Sequence, residues 1–235
     1  MVRAGFVGVF CVLAGLYLAG APAFAETVIT HPIKGKFDAP TPGLASAKVF
    51  GVALPPLGYI DFCARGEMEC QFSGGKSEPL PMSTELWDLL QVTNRQVNKE
   101  IKPATDMSLY GVADYWTYPV DKGDCEDYVL LKKRYLSELG IKPESLAITV
   151  VLDENREGHA ILTVITDKGD YVLDNRRSEI LRWDETGYIF LKRQSQSATK
   201  EWVSLQKTAP QVMVSTRSRS FLSDMLNLGR KGANK

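Results

Sequence analysis

The stretch "KGDCEDYVLLKKRYLSELG", Lys122 to Gly140, decides how this chain is read. It predicts an amphipathic helix with well-marked ends. Asp124 is a good N-cap, Asp127 stands three residues on where a carboxylate can reach back, and Gly140 is a natural stop. Tyr128, Leu131, Tyr135 and Leu139 recur on one face, with Lys132, Lys133 and Arg134 placed towards the negative end of the helix dipole. The oddity is at the start, where a lone thiol, Cys125, lies between Asp124 and Glu126. Like charge beside a thiol raises its pKa. That is a poor setting for a plain core cysteine and suits a nucleophile or a metal site.

The rest of the chain narrows the choice. Its 235 residues carry 28 basic and 28 acidic side chains and 44% hydrophobic content, enough for one globular domain with a real core. A neutral balance argues against a nucleic-acid binder. The N-terminus, "MVRAGFVGVFCVLAGLYLAGAPAFA", has Arg3, an apolar run from Ala4 to Ala19 and then Ala23-Phe24-Ala25. It reads as a secretory signal over residues 1–25, cut after Ala25, which predicts a periplasmic protein; an uncleaved membrane anchor is the rival. Cys11 leaves with the signal. "CARGEMEC" can then close as a local Cys63–Cys70 loop in an oxidising compartment, since a zinc site would need ligands that are absent. Cys125 is left odd.

Residues 26–58 are rich in Pro and Gly and read as irregular or edge structure. "STELWDLLQVTNRQVNKEI" predicts a helix over about 84–101, capped by Ser83, with Leu86, Leu90, Val97 and Ile101 on its apolar face. After the Lys122–Gly140 helix the period changes to two. "SLAITVVL", "GHAILTVIT", "DYVLDNRR" and "GYIFLKRQ" predict four antiparallel strands, hence an α+β domain over 26–207 with helices packed on the sheet. Residues 208–235 read as a tail, partly mobile, with a short helix at about 219–229.

Only two histidines occur, His31 in a Pro-rich stretch and His159 at the head of "GHAILTVIT". If Cys125 has an imidazole partner, it is His159. Asp174, in "YVLDNRR", is placed to orient that ring: a two-residue loop at Asp167-Lys168 sets Asp174 opposite Ile161, with His159 as its same-face diagonal neighbour. The expected roles are Cys125 as nucleophile, His159 as base and Asp174 as orienting carboxylate. The Cys125 N–H would help hold the oxyanion, with Trp116 a candidate second donor. The acids beside the thiol need neutralising, and a hard cation such as calcium would do it; the rival is that they only cap the helix. Two further functions compete with hydrolysis: an amidase or transglutaminase-type acyl transferase using the same three residues, and a catalytically idle binding module.

With these residues in view, the chain resembles the bacterial transglutaminase-like cysteine peptidases of the LapG-like kind. "DYWTYPVDKGDCEDYVLLKKRYLSELG", "GHAILTV" and "GDYVLDN" carry the resemblance, in that order, within roughly 55–205. It implies a papain-like/transglutaminase-like fold, a triad at Cys125, His159 and Asp174, and calcium-binding carboxylates at Asp124 and Glu126. It further implies a protein substrate such as a surface adhesin, and an inner-membrane receptor for cyclic di-GMP as regulator. The Cys63–Cys70 pair, the tail beyond Trp202 and Asp121 depart from the pattern and suggest a separate branch.

Overall fold

The helix expected after Lys122 runs Cys125–Glu138 and stops at Gly140. Gly140 takes φ +91°, where a side chain would strain the backbone. Its N–H returns to the Ser137 carbonyl and that of Ile141 to Leu136, both at 3.0 Å, which satisfies the last free carbonyls. The structure is a computed structural model and describes residues 46–72, 74 and 78–207. The expected signal over 1–25, His31, and the tail from 208 with its helix at 219–229 lie outside the described residues.

In chain order the elements are β1 (Gly51–Ala53), α1 (Leu57–Ala64), α2 (Thr84–Glu100), β2 (Lys102–Pro103), α3 (Asp106–Tyr110), β3 (Lys122–Gly123), α4 (Cys125–Glu138), β4 (Leu146–Leu152), β5 (Gly158–Thr166), β6 (Gly169–Leu173), β7 (Leu181–Arg182), β8 (Ile189–Gln194) and β9 (Trp202–Ser204). Seven strands form one sheet in the order β1-β9-β8-β4-β5-β6-β7, and every pairing in it is antiparallel. The four expected strands are its centre, β8-β4-β5-β6. The additional strands are two or three residues long, too short for an alternating pattern to stand out. Among the described residues no helix is long and apolar enough to cross a membrane.

The fold is α+β, with the helices packed against an antiparallel sheet. Alternation along β5 sends Ala160, Leu162 and Val164 into the main core, where Val129, Leu130 and Leu136 of α4 meet them. Ile161 points the other way, into a second cluster with Val151, Val172, Tyr188 and Phe190. α2 starts at its Ser83 cap, whose hydroxyl accepts the Leu86 N–H at 3.1 Å. Its Val97, with Ile101 beyond its end, covers Tyr128, Leu131 and Tyr135 of α4. Leu139, the fourth member of that stripe, is exposed, because the chain turns away at Gly140.

One expected boundary needs correction: the irregular stretch expected to run to residue 58 gives way to α1 at Leu57, with Pro56 at its N-cap, and no element was expected over 59–64. Lys132 and Lys133, expected to lie towards the negative end of the helix dipole, do not reach solvent. Both are buried, because α4 has the sheet on one side, α2 on another and the 63–71 segment beside it. Lys133 Nζ pairs with Glu69 Oε1 at 2.7 Å and donates to Gln194 Oε1 at 2.7 Å. Glu69 is held there by a Cys63–Cys70 disulfide.

Candidate active site

The site begins with a short parallel pairing. Lys102 and Pro103 run beside Lys122 and Gly123, which brings the segment after α2 against the start of α4. Gly123 is needed for space: a Cβ there would lie 2.6 Å from Asp127 Oδ2. Asp124 stands at the N-cap, but its carboxylate does not cap. Its Oδ2 instead accepts the N–H of Asp106, eighteen residues back, at 3.2 Å. Asp127 accepts the Thr117 N–H at 2.9 Å. The acids expected to finish a helix are turned towards the 104–117 loop.

That loop supplies what sequence reasoning missed. Carboxylate oxygens of Asp106, Asp114 and Glu126 lie within 4.8 Å of one another, as do those of Asp106, Asp124 and Asp127. Asp124 and Glu126, the expected metal residues, thus fall in different groups that share Asp106. Asp106 Oδ1, Asp124 Oδ1 and Asp127 Oδ2 are buried without a hydrogen-bond partner among the described residues. Burial pushes Glu126 up to about 9, helped by the Asp124 charge, and Asp127 up to about 7. Burial also raises Asp106, with Asp124 and Asp114 adding to the effect. Several hard oxygens, close together and unsatisfied, are a donor set for a hard cation. The only sequence signal for Asp106 and Asp114 was their acidity within a loop.

Cys125 opens α4 and is partly exposed. Its thiol hydrogen-bonds Glu126 Oε2 at 3.1 Å, and its sulfur accepts the Ala160 N–H of β5 at 3.4 Å. Burial pushes this thiol well up, and the Glu126 and Asp124 charges push the same way against the Ala160 N–H. β5 turns into β6 at Asp167–Lys168, with Thr166 paired to Gly169 and Leu162 to Leu173. The ladder ends there, one residue short of Asp174, and the same register carried one step on would set Asp174 opposite Ile161. His159 Nε2 and Asp174 Oδ1 are 2.9 Å apart, both side chains buried. Burial would raise the Asp174 carboxyl, but the His159 ring, the Arg176 N–H and the Tyr188 hydroxyl outweigh it and lower the pKa to about 2. His159 Nδ1 is buried and makes no hydrogen bond among the described residues. The structure therefore joins His159 to Asp174 and brings the sulfur to the backbone next to His159, while the thiol hydrogen goes to Glu126. Trp116 is not a spare donor: its indole N–H is taken by Asp114 Oδ1 at 2.9 Å, with the ring packed on Tyr59.

A thiol at a helix tip, a buried imidazole–carboxylate pair and an acidic cluster define a candidate thiol-dependent hydrolase site. A family model described as bacterial transglutaminase-like cysteine proteinase matches residues 49–210, and the chain belongs to that family. It is a cysteine peptidase, and a peptidase acts on protein. Among solved structures it is similar to LapG of Legionella pneumophila, with 25% identity, TM-score 0.40, and 46% of this chain and 63% of that one covered. That alignment spans less than two thirds of the LapG chain. A calcium-bound LapG matches at 21% identity and TM-score 0.44, covering 60% of this chain and 80% of that one. An EGTA-treated LapG matches at 21% and 0.43, covering 60% and 79%. No curated protein matches.

Proposed function

We propose that this peptidase is an exported, calcium-dependent endopeptidase in which Cys125 attacks the scissile carbonyl, His159 moves the proton and Asp174 holds the imidazole. The observation that carries the reading is the 2.9 Å contact of His159 Nε2 with Asp174 Oδ1. With the ring proton on Nε2, Nδ1 is the basic nitrogen, at the end of β5 where the sulfur arrives. Nδ1 takes the thiol proton as Sγ bonds to the carbonyl carbon. The same proton passes to the leaving amine as the C–N bond breaks. Water then adds to the thioester with Nδ1 as base, the C–S bond breaks and the thiol is restored.

Asp106, Asp124, Glu126 and Asp127, with Asp114 alongside, are the residues that would hold the calcium. Bound there, the ion supplies fixed positive charge that lowers the thiol pKa. A Glu126 oxygen given to a cation no longer competes with His159 for the thiol hydrogen. The reading includes a signal over 1–25, a catalytic domain over 26–207 and a tail over 208–235, with a periplasmic or cell-surface protein as substrate. An adhesin substrate and a cyclic di-GMP receptor as regulator enter from the resemblance alone. The deciding experiment compares exported and surface proteins from cells carrying wild type or Cys125→Ala. At least one protein should lose a cleavage product in the variant and in EGTA-treated wild type. Identical fragment patterns in all three would defeat the proposal.

A further inference from the structure

We propose that Tyr188 is a positioning residue of this site, its hydroxyl locking the Asp174 carboxylate so that Oδ1 faces the His159 ring. The inference rests on the His159–Asp174 pairing and goes beyond the three residues of the triad. A carboxylate held through one oxygen can still swing about its Cβ–Cγ bond. Here both oxygens are committed. Oδ1 meets His159 Nε2 and the Arg176 N–H, each at 2.9 Å, while Oδ2 accepts the Tyr188 hydroxyl at 2.7 Å. The Arg176 N–H is a local contact two residues on, whereas His159 and Tyr188 stand 15 and 14 residues away, so tertiary packing supplies one partner to each oxygen.

Tyr188 is itself held on several sides. Gly187 before it takes φ +78°, a turn that aims the chain into β8. The Tyr188 N–H donates to Thr186 Oγ1 at 3.2 Å. Its ring stands edge-on to the His159 ring, centroids 5.8 Å apart at 83°, and the Arg177 guanidinium lies 4.9 Å from its centroid. The ring is buried in the cluster with Val151, Ile161, Val172 and Phe190. Burial and the adjoining Asp174 charge push the phenol up to about 12, so the hydroxyl stays a donor throughout the working pH range. One side chain thus packs on the imidazole and ties down its carboxylate.

The test is Tyr188→Phe, which keeps the ring and removes only the hydroxyl. Proton NMR follows the His159 Nε2–H, one of only two histidine rings in the chain. Loss of one hydrogen bond to a charged group corresponds to about a ten- to hundredfold change in an equilibrium. The Nε2–H should exchange with solvent faster by that factor, and the pH below which its signal is lost should rise, because Asp174 becomes easier to protonate. Iodoacetamide should alkylate Cys125 about tenfold more slowly at pH 7 in the folded variant. Unchanged exchange and an unchanged pH of signal loss would overturn the inference. These readouts need no substrate, so they stand apart from the peptidase reading, which Cys125→Ala tests.

Discussion

Lys132 offers the sharpest test of the packing beneath the site. Its side chain is fully buried on α4, and its Nζ has no hydrogen-bond partner among the described residues. The ammonium lies 6.0 Å from the Tyr128 ring centroid, and Asp174 is the charge that favours it. Burial lowers its pKa from 10.5 to about 7. At about 1.4 kcal/mol per pH unit, that difference corresponds to roughly 5 kcal/mol of cost for keeping the ammonium charged. The folded value lies below the unfolded one, so the unfolded chain binds the extra proton between about pH 7 and 10.5. Stability contributed by this residue therefore rises with pH across that window, and the penalty is complete below it. Lys132→Met keeps the apolar stem and removes the charge. Urea unfolding at constant calcium should find the variant more stable by a few kcal/mol at pH 6, with the advantage shrinking towards zero near pH 10. Parallel stability curves for the two proteins from pH 6 to 10, or a variant less stable throughout, would refute the reasoning.

Other outcomes follow from the same geometry. Asp174→Asn should cut peptide hydrolysis by about 100- to 10,000-fold, since the amide cannot hold the imidazole tautomer as the carboxylate does. The lowered carboxyl also contributes about 2 kcal/mol that is present above about pH 4 and lost as pH falls towards 2; acid unfolding of the Asn variant should lack that component. Asp106 belongs to both carboxylate groups, so Asp106→Asn should weaken calcium binding at least tenfold by calorimetry; an unaltered affinity would place the ion elsewhere. Glu69→Gln removes the ionic partner of buried Lys133 and should lower stability by about 3 kcal/mol in denaturant unfolding.

The reading from sequence succeeded where structure is local or periodic. The end of α4 follows from Gly140 because that turn depends on neighbours in the chain, and Asp124 marks the N-cap position although its carboxylate does not cap. The register of β5 on β6, from Thr166–Gly169 to Leu162–Leu173, follows from a two-residue turn because strands alternate with a period of two. The Cys63–Cys70 bridge follows from the short spacing of the two cysteines. Strands of two or three residues stayed hidden because they are shorter than the pattern that reveals a strand, and α1 stayed hidden behind the prolines that introduce it.

What only the tertiary structure decided are the contacts between segments far apart in the chain. The parallel pairing of residues 102–103 with 122–123 carries Asp106 to Asp124, and no periodicity announces it. Burial of Lys132 and Lys133 depends on what covers α4, which a helical pattern does not state. The commitment of Trp116 to Asp114, of the Cys125 thiol to Glu126 and of Tyr188 to Asp174 likewise comes from packing. Chain-local chemistry determined which residue types stand at the helix tip and along the hairpin. The partners each one meets depend on how separate elements dock, because hydrogen bonds and burial are set by distance in space.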